Sequence, residues 1–498
     1  MPFFEVNRYT HIQDVSSDTW IIPHKLDTLY PVVTTWIDQD GLMVAVVPVD
    51  PNAEAPVAPT PITPGFTFTI DNPNVYSTTS NDQFGRAMSM SGDYAAVGVE
   101  LEDDAGGASS GKVYIIDVTT GLLVRTLDNP NAYSTSSGDS FGTSTDMDGT
   151  NLIVGANREA DASGTNSGKA YIFDVTTGAL LHTLDNPNAY GTSEWDTFAS
   201  SVAIFGNYAV VGAASEADAS GGTAGRAYVF NVTTGALVHT LDNPNAHDIA
   251  SGDRFGIAVD ISDDRILVTA DTESDAVSGY SSGKAYVFDL TTGALLLTLD
   301  NPDAYVSPGD GFGYDAAMSG DYIIVGTYKE NATSTENQSG YVYIFNTYTG
   351  ALLQTIPNPN PYGTSHYDRF GWKVEIDGNF AIVSAPLEDD AGGAGSGKAY
   401  IYDITSAALV HTLDNPNDYG TVVNDGFGNA IAMSGGVVMV GAQGEDDASH
   451  DATGKAYIYA FNAAVATPAV MTATMEIVDK DNITMTLPWA AVGAITLV

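Results

Sequence analysis

Acidic side chains recur at fixed intervals along most of this chain, and carboxylate oxygens in such a pattern could hold a hard cation. Glutamate recurs seven times, and aspartate follows two residues later in six of these places. The candidate metal-binding pairs are Glu102 with Asp104, Glu388 with Asp390 and Glu445 with Asp447. A recurring loop aspartate can instead cap backbone N–H groups or pair with a nearby lysine. We favour that structural use and assign neither a metal site nor a cofactor.

Catalytic signatures are absent from the sequence. It contains no Gly-x-Ser-x-Gly elbow, no phosphate-binding loop and no His-Glu-x-x-His motif. Histidine shares one repeated position with other residue types, which is typical of a tolerant surface site; the occupants are His182, His239, His411, Arg125, Leu297 and Gln354. Carboxylate pairs for glycoside hydrolysis stay open, because acids are abundant everywhere. We predict that the chain is not an enzyme.

Composition excludes several classes of partner. Lys and Arg total 17 against 62 Asp and Glu, a formal charge of −45, which repels nucleic acid and anionic membranes. There is no cysteine, so disulfides and thiolate metal sites are excluded. The first twenty residues lack the pattern of a signal peptide, and no apolar run is long enough for a membrane helix. We expect a protein that reaches the outside of a cell only within a larger particle.

The positions of these side chains follow an internal repeat. Phenylalanine of an Asp-x-Phe-Gly phrase, with Ala199 replacing one glycine, recurs at 84, 141, 198, 255, 312, 370 and 427. The spacing is 57 residues with a single 58, and a second phrase, Gly-Lys-x-Tyr, recurs in phase with it. Two phrases in phase over seven units establish a repeated structural unit.

Each unit reads as four β-strands separated by turns. In the third unit we predict strands at 198–204, 208–213, 226–232 and 236–241, the last two joined by a Thr-Thr-Gly hairpin. Seven such units without a helical period predict an all-β fold, a seven-bladed β-propeller over residues 66–461.

The two ends of the repeat array predict how the ring closes. An extra Asp-Asn-Pro phrase at Asp71 follows an isolated strand, Phe66–Ile70, and the seventh unit ends after its third strand at Phe461. We therefore expect the N-terminal strand to supply the outer strand of the last blade, which removes an exposed edge.

The Phe-Gly pairs, such as Phe84-Gly85 and Phe141-Gly142, and the Val-Gly-Ala stretches at 154–156 and 211–213 resemble the FG-GAP propeller family, best known from integrin α-subunits. The resemblance implies a β-propeller that acts in recognition. The Asp-x-Asp-x-Asp-Gly calcium loop of integrin propellers is missing here, and Ser91-Gly92-Asp93 stands in its place. Calcium binding at that position is therefore not implied.

The segments outside the ring resemble two halves of one small β-domain. Residues 20–26, 31–33 and 38–41, with 472–479 and 482–487 after the propeller, are similar to a module of phage tail-fibre and other virion proteins. We place the halves at 1–52 and 471–498, with linkers at 53–65 and 462–470, and expect a small split β-sandwich-like domain. His24 is interpreted as a structural histidine.

Strand order predicts two different faces of the ring. The loops between second and third strands and the blade-to-blade connections share one face, here called the loop face, which the recurring acids should make acidic. The first-to-second turns and the Thr-Thr-Gly hairpins share the other, the hairpin face, where both chain ends leave. Loops that differ between units are the better guide to binding. The binding candidates are Trp195, Tyr280, Lys329, Asn331 and Asn337.

The two resemblances, and above all that of the outer segments to phage tail-fibre modules, imply one functional hypothesis. We predict a bacteriophage virion structural protein, a tail fibre, spike or other appendage component, located in the virion and expected to be a homo-oligomer. The small domain would contact other virion proteins, and the propeller would recognise a host-surface glycan or protein, without nucleic acid or membrane insertion. The alternatives are a phage depolymerase or glycosidase acting on a surface glycan, and a secreted prokaryotic adhesin.

Overall fold

A computed structural model provides the coordinates. It describes residues 20–22, 65–74, 81–103, 107–131, 136–160, 165–188, 195–217, 222–244, 252–274, 281–302, 309–331, 338–360, 367–389, 394–416, 424–446, 452–461, 474–479, 482–486 and 495–497. The chain divides into two compact units, residues 63–461 and residues 1–62 with 462–498.

The described elements are β-strands. In chain order they are β1 (Trp20–Ile22), β2 (Gly65–Asp71), β3 (Ala87–Ser91), β4 (Tyr94–Val99), β5 (Lys112–Asp117), β6 (Leu122–Asp128), β7 (Phe141–Asp148), β8 (Asn151–Ala156), β9 (Lys169–Asp174), β10 (Ala179–Asp185), β11 (Ser201–Phe205), β12 (Tyr208–Ala213), β13 (Arg226–Asn231), β14 (Leu237–Asp242), β15 (Val259–Ser262), β16 (Arg265–Ala270), β17 (Lys284–Asp289), β18 (Leu295–Asp300), β19 (Phe312–Ser319), β20 (Tyr322–Thr327), β21 (Tyr341–Asn346), β22 (Leu352–Pro357), β23 (Val374–Asp377), β24 (Phe380–Ala385), β25 (Lys398–Asp403), β26 (Ala408–Asp414), β27 (Phe427–Ser434), β28 (Val437–Ala442), β29 (Lys455–Ala460), β30 (Thr474–Asp479), β31 (Asn482–Thr486) and β32 (Ile495–Leu497).

Residues 63–461 form a seven-bladed propeller of four-stranded antiparallel sheets, which confirms the predicted fold. Strands β3–β6, β7–β10, β11–β14, β15–β18, β19–β22 and β23–β26 form blades 1 to 6. In each blade the second strand is buried along nearly its whole length, because other blades cover both of its faces. The fourth strand is mostly exposed and has one buried residue near its end, as expected of an outer strand.

The ring closes as the sequence predicts. Blade 7 consists of β27, β28 and β29 with β2 as its outer strand, in the order β2-β29-β28-β27. Ile70 lies opposite Ala456 and Gly65 opposite Ala460, so the first and last strands of the propeller are adjacent. Closure pairs the edge of β29 that a linear array would expose.

The core lies between neighbouring blades. The phenylalanine of every Asp-x-Phe-Gly phrase is completely buried; these are Phe84, Phe141, Phe198, Phe255, Phe312, Phe370 and Phe427. The ring of Phe198 lies 5.8 Å from that of Tyr228, and both pack with Ile153 and Ile172 of the preceding blade. Buried aromatic rings at each junction hold the blades together.

Glycine at two repeated positions allows the backbones of adjacent blades to approach closely. A Cβ at Gly98, in the second strand of blade 1, would lie 2.1 Å from the carbonyl oxygen of Gly142 in blade 2. A Cβ at Gly111 would lie 2.0 Å from the carbonyl oxygen of Phe141. The Val-Gly-Ala and Gly-Lys phrases are therefore packing signals between blades.

The compact unit outside the propeller, residues 1–62 with 462–498, contains two short strand pairs in its described part. β1 pairs with β32 and β30 pairs with β31, both antiparallel. The pairing of β1 with β32 brings strands from the two ends of the chain together, while His24 lies outside the described residues. Among the described residues there is no helix with the length and apolar character needed to span a membrane.

Candidate binding site on the loop face

The recurring glutamates do not lie on the protein surface, so the prediction that they make the loop face acidic was wrong. Glu102, Glu388 and Glu445 are fully buried. In blade 1 the hydroxyl of Tyr114 donates a hydrogen bond of 2.5 Å to Glu102 Oε1, and the N–H of Gly111 donates one of 2.9 Å to the Glu102 carbonyl oxygen. Glutamate thereby joins both ends of the loop between second and third strands. Its partner is the tyrosine of Gly-Lys-x-Tyr, which recurs in the same phase.

Burial also controls the protonation of these glutamates. Desolvation raises the pKa of Glu102 and of Glu388 to about 8, although the tyrosine hydrogen bond acts in the opposite direction. The same causes raise the pKa of Glu445 to about 7. A carboxyl that keeps its proton near neutral pH is a poor cation ligand. Asp104, Asp390 and Asp447 lie outside the described residues, and no group of three or more His, Asp or Glu within the described part is placed to hold a metal ion.

A second repeated contact closes each blade-to-blade connection. Asp82, from the Asp-x-Phe-Gly phrase, accepts hydrogen bonds from the side-chain amides of Asn72 and Asn74 at 3.0 and 2.8 Å. Equivalent bonds join Asn129 to Asp139 and Asn415 to Asp425. The Asp-Asn-Pro and Asp-x-Phe-Gly phrases therefore hold the two ends of each connection together and fix where the loop face begins.

The repeated position occupied by histidine lies on the outer strand, partly exposed, and its side chain also contacts the next blade, a role that the sequence interpretation did not include. A ring nitrogen of His182, Nε2, lies 3.1 Å from the carbonyl oxygen of Thr233 in the hairpin of the next blade. Arg125 donates from Nε to the carbonyl oxygen of Val175 at 3.1 Å in the same way. The outer strand of one blade reaches the hairpin of the next, which the sequence period alone does not reveal.

An aromatic cluster lies at the loop-face end of blades 5 and 6. It consists of Tyr314, Tyr328 and Trp372, whose ring centroids are 4.6 to 4.9 Å apart in all three pairs. Tyr328 is buried, whereas Tyr314 and Trp372 are partly exposed. Three rings that contact one another at the surface form a rigid apolar platform.

Cations surround this aromatic cluster. Lys329 Nζ lies 4.9 Å from the ring centroid of Tyr328, and the Arg369 guanidinium lies 5.3 Å from that of Trp372. Neither cation forms an ion pair within the described residues, and Arg369 Nε is buried without a hydrogen-bond partner there. By contrast, Lys373 pairs with Asp315 at 3.0 Å, and Arg254 pairs with the buried Asp271 at 3.1 Å.

The positive charges of Arg254 and Lys329 affect the pKa of the neighbouring Asp271. Burial raises the pKa of Asp271, and Arg254 and Lys329 each act to lower it. Burial likewise raises the pKa of the Tyr314 hydroxyl, against the effect of Lys373. Lys329 and Arg369 are thus two cations without an ion pair in the described residues, on a chain of formal charge −45.

The repeat positions the aromatic cluster. Tyr314 and Trp372 each follow a Phe-Gly pair, so they occupy the same place in consecutive blades. Gly311 has φ of +74°, and a Cβ there would lie 3.0 Å from a ring carbon of Tyr328. The other units carry no aromatic residue after the Phe-Gly position; their residues are Arg86, Thr143, Ser200, Ile257 and Asn429. Comparison of the units at this position could have revealed the cluster, which our sequence interpretation missed.

The predicted binding residues have different outcomes. Lys329 belongs to the patch around the aromatic cluster. Asn331 accepts a hydrogen bond of 2.7 Å from the N–H of Gln338 and so shapes the same loop. Trp195 is 62% exposed but belongs to the third unit, and no contact joins it to the cluster within the described residues. Tyr280 and Asn337 lie outside the described residues.

A cavity of about 230 Å³ occupies the centre of the ring and is lined by the first strands of the blades. Asp146, Asp260 and Glu375 occupy one repeated position in blades 2, 4 and 6. Asp146 accepts a hydrogen bond of 2.7 Å from the N–H of Ile204 in the next blade. Desolvation raises the pKa of Asp146 to about 6 and that of Asp260 to about 8. Small or hydroxyl residues separate the acids, which limits their repulsion, and each acid bonds to backbone N–H groups.

Comparison with known proteins identifies the repeated unit. A family model described as FG-GAP repeat matches seven segments, residues 78–116, 132–173, 189–230, 245–288, 305–345, 361–402 and 419–459. Each segment begins in a blade-to-blade connection and ends in a third strand. A search of the curated proteins gave no match. Because the seven repeats together cover more than half of its length and fold into one closed propeller, the chain belongs to the FG-GAP repeat family.

Proposed function

We propose that this chain is a recognition module of a virion, a bacteriophage tail-fibre, spike or other appendage component. The observation that carries the proposal is the aromatic cluster with Lys329 and Arg369, which form no ion pair within the described residues; the other units lack aromatic residues at this repeated position. A rigid repeated scaffold that changes its surface in one place is typical of a binding site.

The virion assignment draws on the resemblance of residues 20–26 and 31–33 to tail-fibre modules. In this proposal the small domain contacts other virion proteins, and the propeller presents the loop face to a host surface. Localisation in the virion and a homo-oligomeric state belong to the same proposal.

We propose binding without turnover. Aromatic rings, a guanidinium and an ammonium group hold and orient a ligand, whereas glycoside hydrolysis needs two carboxyl groups on either side of a bound sugar.

The test combines location and binding. Mass spectrometry of purified particles from the source culture should find the chain, and the labelled full chain should bind intact cells of the host. Trp20→Ala should impair incorporation into particles without changing cell binding by the free chain. Release of oligosaccharides from surface polysaccharide would favour a depolymerase, and absence of the chain from particles would favour a secreted adhesin.

A further inference from the structure

We propose that the aromatic cluster and its cations bind an acidic sugar, a carboxylated pyranose such as a uronic acid within a surface polysaccharide. This proposal names the class of ligand for the recognition function proposed above. It depends on that function only for the biological source of the sugar.

The rings supply the surface for the sugar. One face of a pyranose ring carries C–H bonds with partial positive charge, and these pack against the negative face of an aromatic ring. Trp372 and Tyr314 are partly exposed and 4.7 Å apart, with an interplanar angle of 38°. Tyr328 supports both rings from a buried position, at 4.6 and 4.9 Å. Support of this kind keeps the platform fixed before the ligand arrives.

The cations supply the site for the carboxylate. Stacking on Trp372 and Tyr328 holds the Arg369 guanidinium at 5.3 and 5.8 Å from the two ring centroids, without an ion pair in the described residues. Its Nη groups make no hydrogen bond there, and a guanidinium matches a carboxylate with two parallel hydrogen bonds. Lys329 adds an ammonium group over the ring of Tyr328, also without an ion pair in the described residues.

These unpaired cations are unusual in this chain. Acids outnumber bases by 62 to 17, and most described lysines and arginines pair with a carboxylate of the chain itself. A cation on an aromatic platform that has no ion pair among the described residues of so acidic a chain is available for an external anion.

The net charge restricts which anion fits. A charge of −45 repels a densely charged polymer over the Debye length, which is about 8 Å at physiological ionic strength. A polysaccharide with one carboxylate per repeat feels far less of this repulsion than nucleic acid or a polysulfated chain. We therefore favour a sparsely charged glycan, and an acidic peptide is the competing class.

The experiment measures binding of the full chain by calorimetry. The probes are oligosaccharides that contain glucuronate, galacturonate or mannuronate, the same oligosaccharides with the carboxyl reduced to an alcohol, and an oligoglutamate peptide. We expect at least one uronate oligosaccharide to bind and its carboxyl-reduced form to bind roughly tenfold more weakly.

Matched variants locate the site. Lys329→Gln, Arg369→Gln and Trp372→Ala should each weaken binding by about tenfold. Arg158→Gln is the control for Lys329, because Arg158 occupies the same place in the second unit and also has no ion pair in the described residues. Trp195→Ala is the control for Trp372, since Trp195 is exposed in another unit. Both controls should bind as the parent does, and Arg369→Lys should regain part of the lost affinity.

Several outcomes would overturn the proposal: no uronate binding at millimolar concentration, equal affinity for the carboxyl-reduced sugar, stronger binding of oligoglutamate, or parental affinity in folded Arg369→Gln. Cell binding separates this proposal from the function above. If Arg369→Gln keeps both uronate binding and cell binding, the acidic-sugar site is wrong and surface recognition stands. If the parent binds uronates but no cells, the site is right and the recognition function fails.

Discussion

At the scale of single residues, each blade depends on a carboxyl group that is buried against a tyrosine. In blade 2 both Glu159 oxygens lie within 2.8 Å of the Tyr171 hydroxyl, and the Glu159 carbonyl accepts the N–H of Gly168 at 2.9 Å. Desolvation raises the pKa of Glu159 from 4.5 to about 7. Between pH 4.5 and about pH 7, therefore, Glu159 keeps its proton in the folded protein but loses it in the unfolded chain.

This pKa shift predicts a pH dependence of stability. When the folded-state pKa of an acid is raised, its contribution is complete below the unfolded pKa and disappears as pH rises through the folded pKa. We expect the melting temperature to fall between pH 5 and pH 8. Glu159→Gln, a neutral replacement, should reduce that slope and increase the free energy of unfolding at pH 8 by at most about 3 kcal/mol.

A neighbouring aspartate gives the control. Hydrogen bonds from Thr176 and Thr177 lower the pKa of the partly exposed Asp174 in the same blade. Its stabilising effect is lost only at pH below 3.8, so Asp174→Asn should leave the slope between pH 5 and pH 8 unchanged. Equal slopes for the parent and Glu159→Gln would contradict the assigned protonation.

The sequence predicted that these glutamates share one role but not the direction of their side chains. Because the glutamates recur in phase, they hold equivalent positions in all units. Glu102 lies two residues before Asp104 in a loop, and this placement suggested that its side chain is exposed. The recurring tyrosine of Gly-Lys-x-Tyr was the available signal, because a buried hydroxyl and a buried carboxyl satisfy each other.

At the scale of elements, close backbone contact between second strands and the next blade determines how tightly the ring packs. Gly98→Ala would place a Cβ 2.1 Å from the Gly142 carbonyl oxygen. We expect destabilisation of about 1–3 kcal/mol or more, since both backbones belong to packed sheets. Thermal or denaturant unfolding measures the change.

Ser384 is the matched control for Gly98, because it holds the same place in the sixth unit. There the chain accommodates a side chain at this position, and glycine at Gly428 of the next blade leaves room for it, since a Cβ at Gly428 would lie 3.0 Å from the Ser384 Cβ. Ser384→Ala removes one hydrogen bond of 3.0 Å to Lys373 N–H and should cost only about 1 kcal/mol. A Gly98→Ala variant no less stable than Ser384→Ala would show that the close approach is unimportant.

The closing strand can be tested by two truncations that differ by nine residues. A chain that starts at residue 63 keeps β2, whereas one that starts at residue 72 loses it and exposes the edge of β29. We expect the shorter chain to melt at lower temperature and to aggregate. Equal melting temperatures and monomeric behaviour of both chains would contradict closure by β2.

Most strands were predictable from the period, but some of their ends were not. In the third unit the second strand occurs as predicted at Tyr208–Ala213, whereas the first begins at Ser201 and not at Phe198. The buried Phe198 and the following Ala199, with φ of +67°, belong to a turn that inserts the ring between blades. The sequence does not distinguish an apolar residue that pairs with a neighbouring strand from one that lies beyond the strand end and only packs in the core.

At the scale of the whole propeller, the loop face combines a repeated scaffold with one unit-specific patch. The sequence could predict the ring, its closure and the two faces, because these follow from repetition and strand order. Our sequence interpretation missed that Tyr314 and Trp372 are neighbours, although they hold the same place in consecutive units, 58 residues apart. What the sequence could not show is the direction of the side chains that brings the three rings into contact. Lys329 was predicted from its unusual loop, and its partners were not.

The central claim is that recognition takes place on the loop face. Hydrogen–deuterium exchange of the full chain, free and bound to the surface polysaccharide of cells that it binds, tests this most directly. We predict protection on binding at residues 309–315, 328–331 and 367–373, with no change at the hairpin turns of the same blades, residues 347–350 and 405–407. Protection at those hairpin turns without protection around Tyr314, Lys329 and Trp372 would contradict the account.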